Sequence, residues 1–139
     1  MRVVPLDVAF ARLGATPQRR VRPLSAPAED GSLILVCRSD GFSRPAAGVM
    51  RYSARLSLLR SPPLQIDALR LELQSASTER TPVRLIIQTR GGERGSVKAH
   101  AREDLTGLVT AFDGDSYVVD FVRLQVDRPE PVARVRRRR

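Results

Sequence analysis

Leu69-Arg70-Leu71-Glu72-Leu73-Gln74 and Val83-Arg84-Leu85-Ile86-Ile87-Gln88-Thr89-Arg90 each alternate apolar and polar residues. Period two is the mark of a strand with one buried face. Between them lies the small, polar run Ser75-Ala76-Ser77-Thr78-Glu79-Arg80-Thr81, followed by Pro82. The pattern predicts a β-hairpin over Leu64–Arg90, symmetric about Thr78. Leu73 then faces Val83, Leu71 faces Leu85, Leu69 faces Ile87, and Glu72 meets Arg84 on the other side. A slip of one residue would set leucines against polar side chains, so the register is well specified.

Outward from this stretch the chain reads as a series of short strands. Gly48 to Leu58 alternates cleanly, with Met50, Tyr52, Ala54, Leu56 and Leu58 inward. Near Ala68-Leu69 the apolar phase jumps from even to odd positions, which predicts a β-bulge. Leu33-Ile34-Leu35-Val36-Cys37 is an unbroken apolar run of strand length, so both of its faces are expected to be covered. Arg38 to Ala47, with Asp40-Gly41 and Pro45, reads as a loop. Arg90-Gly91-Gly92-Glu93-Arg94-Gly95 reads as a turn, then Val97, Ala99 and Ala101 as a weak strand and Leu105 to Phe112 as another. Asp113-Gly114-Asp115-Ser116 reads as a turn before Tyr117 to Val126, apolar on both faces and so central. Met1 to Leu13 fits two patterns. Val4, Leu6, Val8 and Phe10 alternate as in an edge strand; Leu6, Phe10 and Leu13 share a helical face with Gly14 as a stop. The extended form is preferred.

About seven short strands with turn signals every 8 to 12 residues, and no convincing helix, predict an all-β fold. An antiparallel β-sandwich or jelly roll is expected, with a small β-barrel as runner-up. The expected organisation is an N-terminal arm or edge segment (1–30), a β-sandwich domain (31–127) and a basic C-terminal tail (128–139).

The chain has 139 residues, 42% of them hydrophobic, and a net charge of +9. That charge is uneven. Residues 1–24 carry +4, residues 128–139 carry +5, and the segment between is neutral. The basic candidates are Arg19, Arg20 and Arg22 in the first arm and Arg134, Arg136, Arg137, Arg138 and Arg139 in the second. Such arms bind nucleic-acid phosphates by counterion release, or protein carboxylates, because the guanidinium suits both. Arg90-Gly91-Gly92 with Arg94-Gly95 has no interleaved aromatic residue to stack bases, so it reads as a turn. The outward Arg51, Arg55, Arg70, Arg84 and Arg123 are expected on one mixed sheet face with Asp67 and Glu72.

Little in the chain suggests catalysis. The one histidine, His100, lies near Glu103 and Asp104 in what reads as a strand end entering an acidic turn. Cys37 is the only cysteine and sits in the most apolar run, which suits a small buried residue. Asp113 and Asp115 lack the later ligand positions of a calcium loop. No phosphate loop, dinucleotide fingerprint or nucleophile elbow is present. No apolar run approaches the ~18 residues of a membrane span, and Pro5, Asp7 and Arg12 interrupt any leader-like core.

These features predict a non-enzymatic structural or binding module in a larger assembly, without metal or cofactor. The concrete form expected is a small virus or phage particle component, capsid-decorating or capsid-linking, found in the virion or cytoplasm and not in a membrane. Its partners would be protein subunits, copies of itself included. Two alternatives are a nucleic-acid-binding protein that uses its arms and a ligand- or carbohydrate-binding jelly roll; the absence of Trp counts against the second.

Overall fold

A computed structural model describes residues 3–16, 24–90 and 97–124. The chain is mostly β. Its strands are β1 (Ser25–Pro27), β2 (Leu33–Arg38), β3 (Phe42–Ala46), β4 (Val49–Arg55), β5 (Val83–Arg90), β6 (Val97–Phe112) and β7 (Ser116–Arg123). Two helices join them, α1 (Leu6–Arg12) and α2 (Pro63–Glu79), with a 3-10 turn at Leu56–Leu58. All seven strands form one mixed sheet in the order β1-β2-β5-β6-β7-β4-β3. Among the described strands only β2 and β5 run parallel. A single sheet with helices against it stands where two packed sheets were expected.

The expected hairpin is the main correction. Its first half is helix α2, 17 residues long. Pro63 opens it at N1, where the missing N–H and fixed φ suit a helix start. From Leu64 to Glu79 there is no glycine or further proline, and Leu, Gln, Ala, Arg and Glu are strong helix formers. Ile66, Leu69, Leu73 and Ala76 follow a helical spacing and pack into the core. The stop is Arg80, in the left-handed region at φ 55°, whose N–H donates to the Ala76 carbonyl. The expected bulge near Ala68-Leu69 lies inside this helix. Instead of Leu73, Leu71 and Leu69, β5 sets Val83, Leu85 and Ile87 beside Leu33, Leu35 and Cys37 of β2. Glu72 accepts a hydrogen bond from the Ser25 hydroxyl and does not meet Arg84.

The sheet is strongly curled. β2 and β3 stand five places apart in it, which in a flat sheet is about 24 Å. Only Ser39, Asp40 and Gly41 join them, a reach of about 14 Å. The sheet therefore bends until its ends approach across the mouth. There the Tyr52 hydroxyl of β4 accepts from the Arg38 N–H of β2 at 3.1 Å, and Ser53 N–H donates to the Gly41 carbonyl at 3.1 Å. Among the described residues the edge strands β1 and β3 do not pair with each other, so the described sheet is open.

Much of the bend is taken by β6, which merges the two strands expected at 97–101 and 105–112. Between the pairs Leu85–Arg102 and Val83–Gly107 its register with β5 shifts. Arg84 donates there to the carbonyls of Leu105 (3.1 Å) and Glu103 (3.0 Å). A Cβ on Gly107 would sit 2.7 Å from the Phe121 ring and 2.8 Å from the Asp120 carbonyl oxygen. Glycine at this corner lets β7 lie close.

The concave side holds the larger core, with α2 packed on the inward residues of β2, β4, β5, β6 and β7. The convex side has a smaller core under α1, made by Ala9, Phe10 and Leu13 against Ile34, Ile86, Ala99 and Ala101. The unbroken run Leu33–Cys37 fits this arrangement, since α2 and α1 cover opposite faces of β2. The preference for an extended N-terminus is corrected. Leu6, Phe10 and Leu13 form a helical stripe, Gly14 follows at φ 91°, and only Val4 bridges to the sheet, at Ala99. Arg38–Ala47 also differs, because Phe42–Ala46 is an edge strand that tolerates Pro45.

Candidate functional surface

The acidic turn expected before β7 anchors the fold. Asp113 accepts the N–H groups of Asp115 (2.9 Å) and Ser116 (2.7 Å), which lowers its carboxyl below the ordinary range. The Asp115 carboxylate accepts the N–H (2.8 Å) and hydroxyl (3.0 Å) of Ser57. It thereby fixes the 3-10 turn that ends β4, where a longer strand was expected. Leu56 is buried there, but Leu58, expected inward, is 71% exposed. Among the described residues no group of three His, Cys, Asp or Glu side chains could hold a metal ion.

The titratable side chains in the core are held neutral. Burial pushes the Cys37 thiol well up and the Tyr52 phenol to about 12, and raises Tyr117 further. None of these is poised as a nucleophile or base near neutral pH. Asp104, near His100 in sequence, is held by Arg102 through two contacts of 3.0 Å. With Tyr52 and Tyr117 both buried, neither is an aromatic platform for a sugar.

The arginines expected on one face are divided. Arg51 on β4 pairs with Asp120 on β7 through contacts of 2.7 and 3.0 Å. Arg70 is on α2, reaching Asp67 at 2.6 Å and the Gly114 carbonyl at 3.0 Å. Arg84 serves the β6 bend. Arg19, Arg20, Arg22, Arg134, Arg136, Arg137, Arg138 and Arg139 lie outside the described residues, as do residues 91–96. No described helix is long and apolar enough to cross a membrane.

One shallow depression lies at the mouth, about 270 Å³, with Phe42, Met50 and Ile87 beside Ser39, Ser43, Arg44 and Thr89. Ordinary ligand pockets run from about 300 to 1,000 Å³ and enclose most of the ligand.

The most unusual surface is the outer side of α2. Leu64 is 83% exposed and Leu71 is 72% exposed, with exposed Ala68 between them and Ser75 beyond. Spacings of four, three and four residues put all four on one stripe. At 100° per residue the centre of that stripe lies about 170° from Leu73, about 130° from Leu69 and about 110° from Ala76, all of them buried. The helix is thus apolar on two opposed sides. Polar groups on and beside the stripe bond to one another along the helix: Asp67 to Arg70, Gln74 to Thr78 at 3.3 Å, and the stripe's own Ser75 to Glu79 at 3.3 Å. Sequence reading missed this surface because it assigned Leu71 to the core. The signal was present as a second helical stripe, Leu64-Ala68-Leu71-Ser75, out of phase with Ile66-Leu69-Leu73-Ala76. Comparison with protein-family models, with curated proteins and with solved structures finds no match to this chain.

Proposed function

We propose that this chain is a non-enzymatic module of a larger protein assembly, which it joins through the outer side of α2. The carrying observation is the exposed leucine pair Leu64 and Leu71 on a helix whose other side is already fully used. Scattered exposed leucines are ordinary, but a stripe of them marks an interaction surface. Burying one leucine contributes about 1.5 to 3 kcal/mol. Leu64 and Leu71 together contribute roughly 3 to 6 kcal/mol, against an association cost of about 4 to 15 kcal/mol. One such contact is weak alone and suits a structure in which contacts repeat. A virus or phage particle component is one concrete form of this class. The concentration of the net positive charge in residues 1–24 and 128–139 also supports it, since arginine-rich segments can bind the carboxylates of neighbouring subunits.

A photo-crosslinking residue at position 71, with Ser53 on the sheet as control, tests the reading in cells that carry the chain. Discrete adducts from position 71 that disappear with Leu64→Glu are expected. Equal labelling from the two positions would sink it.

A further inference from the structure

We infer that the occupant of this stripe is a second copy of the chain, with the two α2 helices packed antiparallel about a two-fold axis. The inference rests on the assembly reading above and names its partner. Large and small residues alternate along the stripe: Leu64, Ala68, Leu71, Ser75, all exposed. In an antiparallel pair, Leu71 of one copy lies against Ala68 of the other, and Leu64 against Ser75. Each leucine then has a small residue to fill against, and the two-fold axis makes every contact twice.

Flanking charges select the direction. The positions bordering the stripe are Gln65, Glu72 and Glu79 on one side and Asp67 and Gln74 on the other, with Glu72 held by the Ser25 hydroxyl and Asp67 by Arg70. Antiparallel pairing brings Asp67 against Gln74 and Gln65 against Glu72, with no like charges opposed. Parallel pairing would bring Asp67 against Glu72, two carboxylates. The stripe is continuous and carries no charge of its own.

Sedimentation equilibrium of the full chain over a wide concentration range tests this. Circular dichroism checks that each variant remains folded, as substitution of exposed positions should allow. The wild-type chain is expected to pass from monomer to dimer, and Leu71→Glu to weaken the dimer about a hundredfold or more. Ala68→Leu is the sharper test. It adds apolar surface, which would tighten a merely sticky patch, yet it fills the slot that receives Leu71 and is expected to weaken the dimer about tenfold or more. A wild-type chain monomeric throughout, a dimer indifferent to Leu71→Glu, or a dimer tightened by Ala68→Leu would each overturn the inference. A monomeric chain whose position 71 still crosslinks specifically to another protein overturns the second copy alone. A monomeric chain without such adducts overturns the assembly reading as well.

Discussion

Leu71 and Leu73 are two residues apart in sequence and lie on opposite sides of α2. Leu73 is fully buried against the concave face of the sheet, while Leu71 is 72% exposed. In a strand the two would share a face. Here the i+2 step turns the chain by about 200°, so the leucine that completes a period-two pattern is the one the helix leaves outside.

The two leucines should therefore respond differently to truncation. Leu73→Ala leaves a cavity between α2 and the sheet and is expected to cost about 2 to 5 kcal/mol. Leu71→Ala is expected to change monomer stability by less than about 0.5 kcal/mol, because a surface position loses little on truncation. Urea unfolding at a concentration where the chain is monomeric measures both, and equal costs would contradict the helix.

Gly107→Ala is expected to destabilise the chain by about 1 to 3 kcal/mol. The new methyl would meet the Phe121 ring and the Asp120 backbone carbonyl, and the backbone atom cannot move aside cheaply. Thermal unfolding reads this out; an unchanged midpoint would mean that β6 and β7 are further apart at the bend.

Arg80 stops α2 in the left-handed region, where a Cβ is disfavoured and glycine is at ease. Arg80→Gly is accordingly expected to stabilise by about 0.5 to 1 kcal/mol. A loss of stability in urea unfolding would show that the Arg80 side chain contributes more than its backbone strain costs.

The Arg102–Asp104 pair sets a pH dependence. The hydrogen bonds from Arg102 hold the Asp104 carboxyl below its ordinary range. A lowered folded value contributes stability above the unfolded carboxyl value near ~3.9 and loses it as pH falls through the folded value. Asp104→Asn is expected to be less stable than the parent at neutral pH, with the gap closing as pH falls from about 5 towards 2. A gap constant over that range in parallel acid titrations would show that the pair adds nothing through ionisation.

The basic tail separates the assembly reading from the nucleic-acid one. Binding to random-sequence duplex DNA and single-stranded RNA is expected to be weak for the full chain and for a chain ending at Asp127. Tight binding that falls steeply with salt and needs residues 128–139 would favour the nucleic-acid reading.

Much of the β framework was legible in the residues. Leu33–Cys37 has no polar position, and a strand covered on both faces by helices needs none. The alternation through Tyr52 and Ala54 and the acidic turn at Asp113 were equally plain. The hairpin expectation erred because Leu69, Leu71 and Leu73 satisfy period two while Leu69 and Leu73 alone satisfy the helix. A stretch with apolar residues on two helical sides obeys both patterns, and Pro63 with the following run of helix formers was the signal that decided between them. The N-terminal segment presented a similar choice, settled by the space over Ile34 and Ile86 that Phe10 fills. The curl of the sheet could not be read locally, because it follows from which distant strands pair. The outer surface of α2 was hidden by the same misassignment of Leu71.

Nuclear Overhauser contacts through residues 63–79 distinguish helix α2 from a hairpin. An unbroken series of Hα(i)–Hβ(i+3) contacts is expected along α2, with Leu73 methyls among the core side chains and Leu71 methyls away from that core. Cross-strand contacts of Leu71 with Leu85 and of Leu73 with Val83 would contradict it, restoring a hairpin and removing the surface on which the proposed assembly depends.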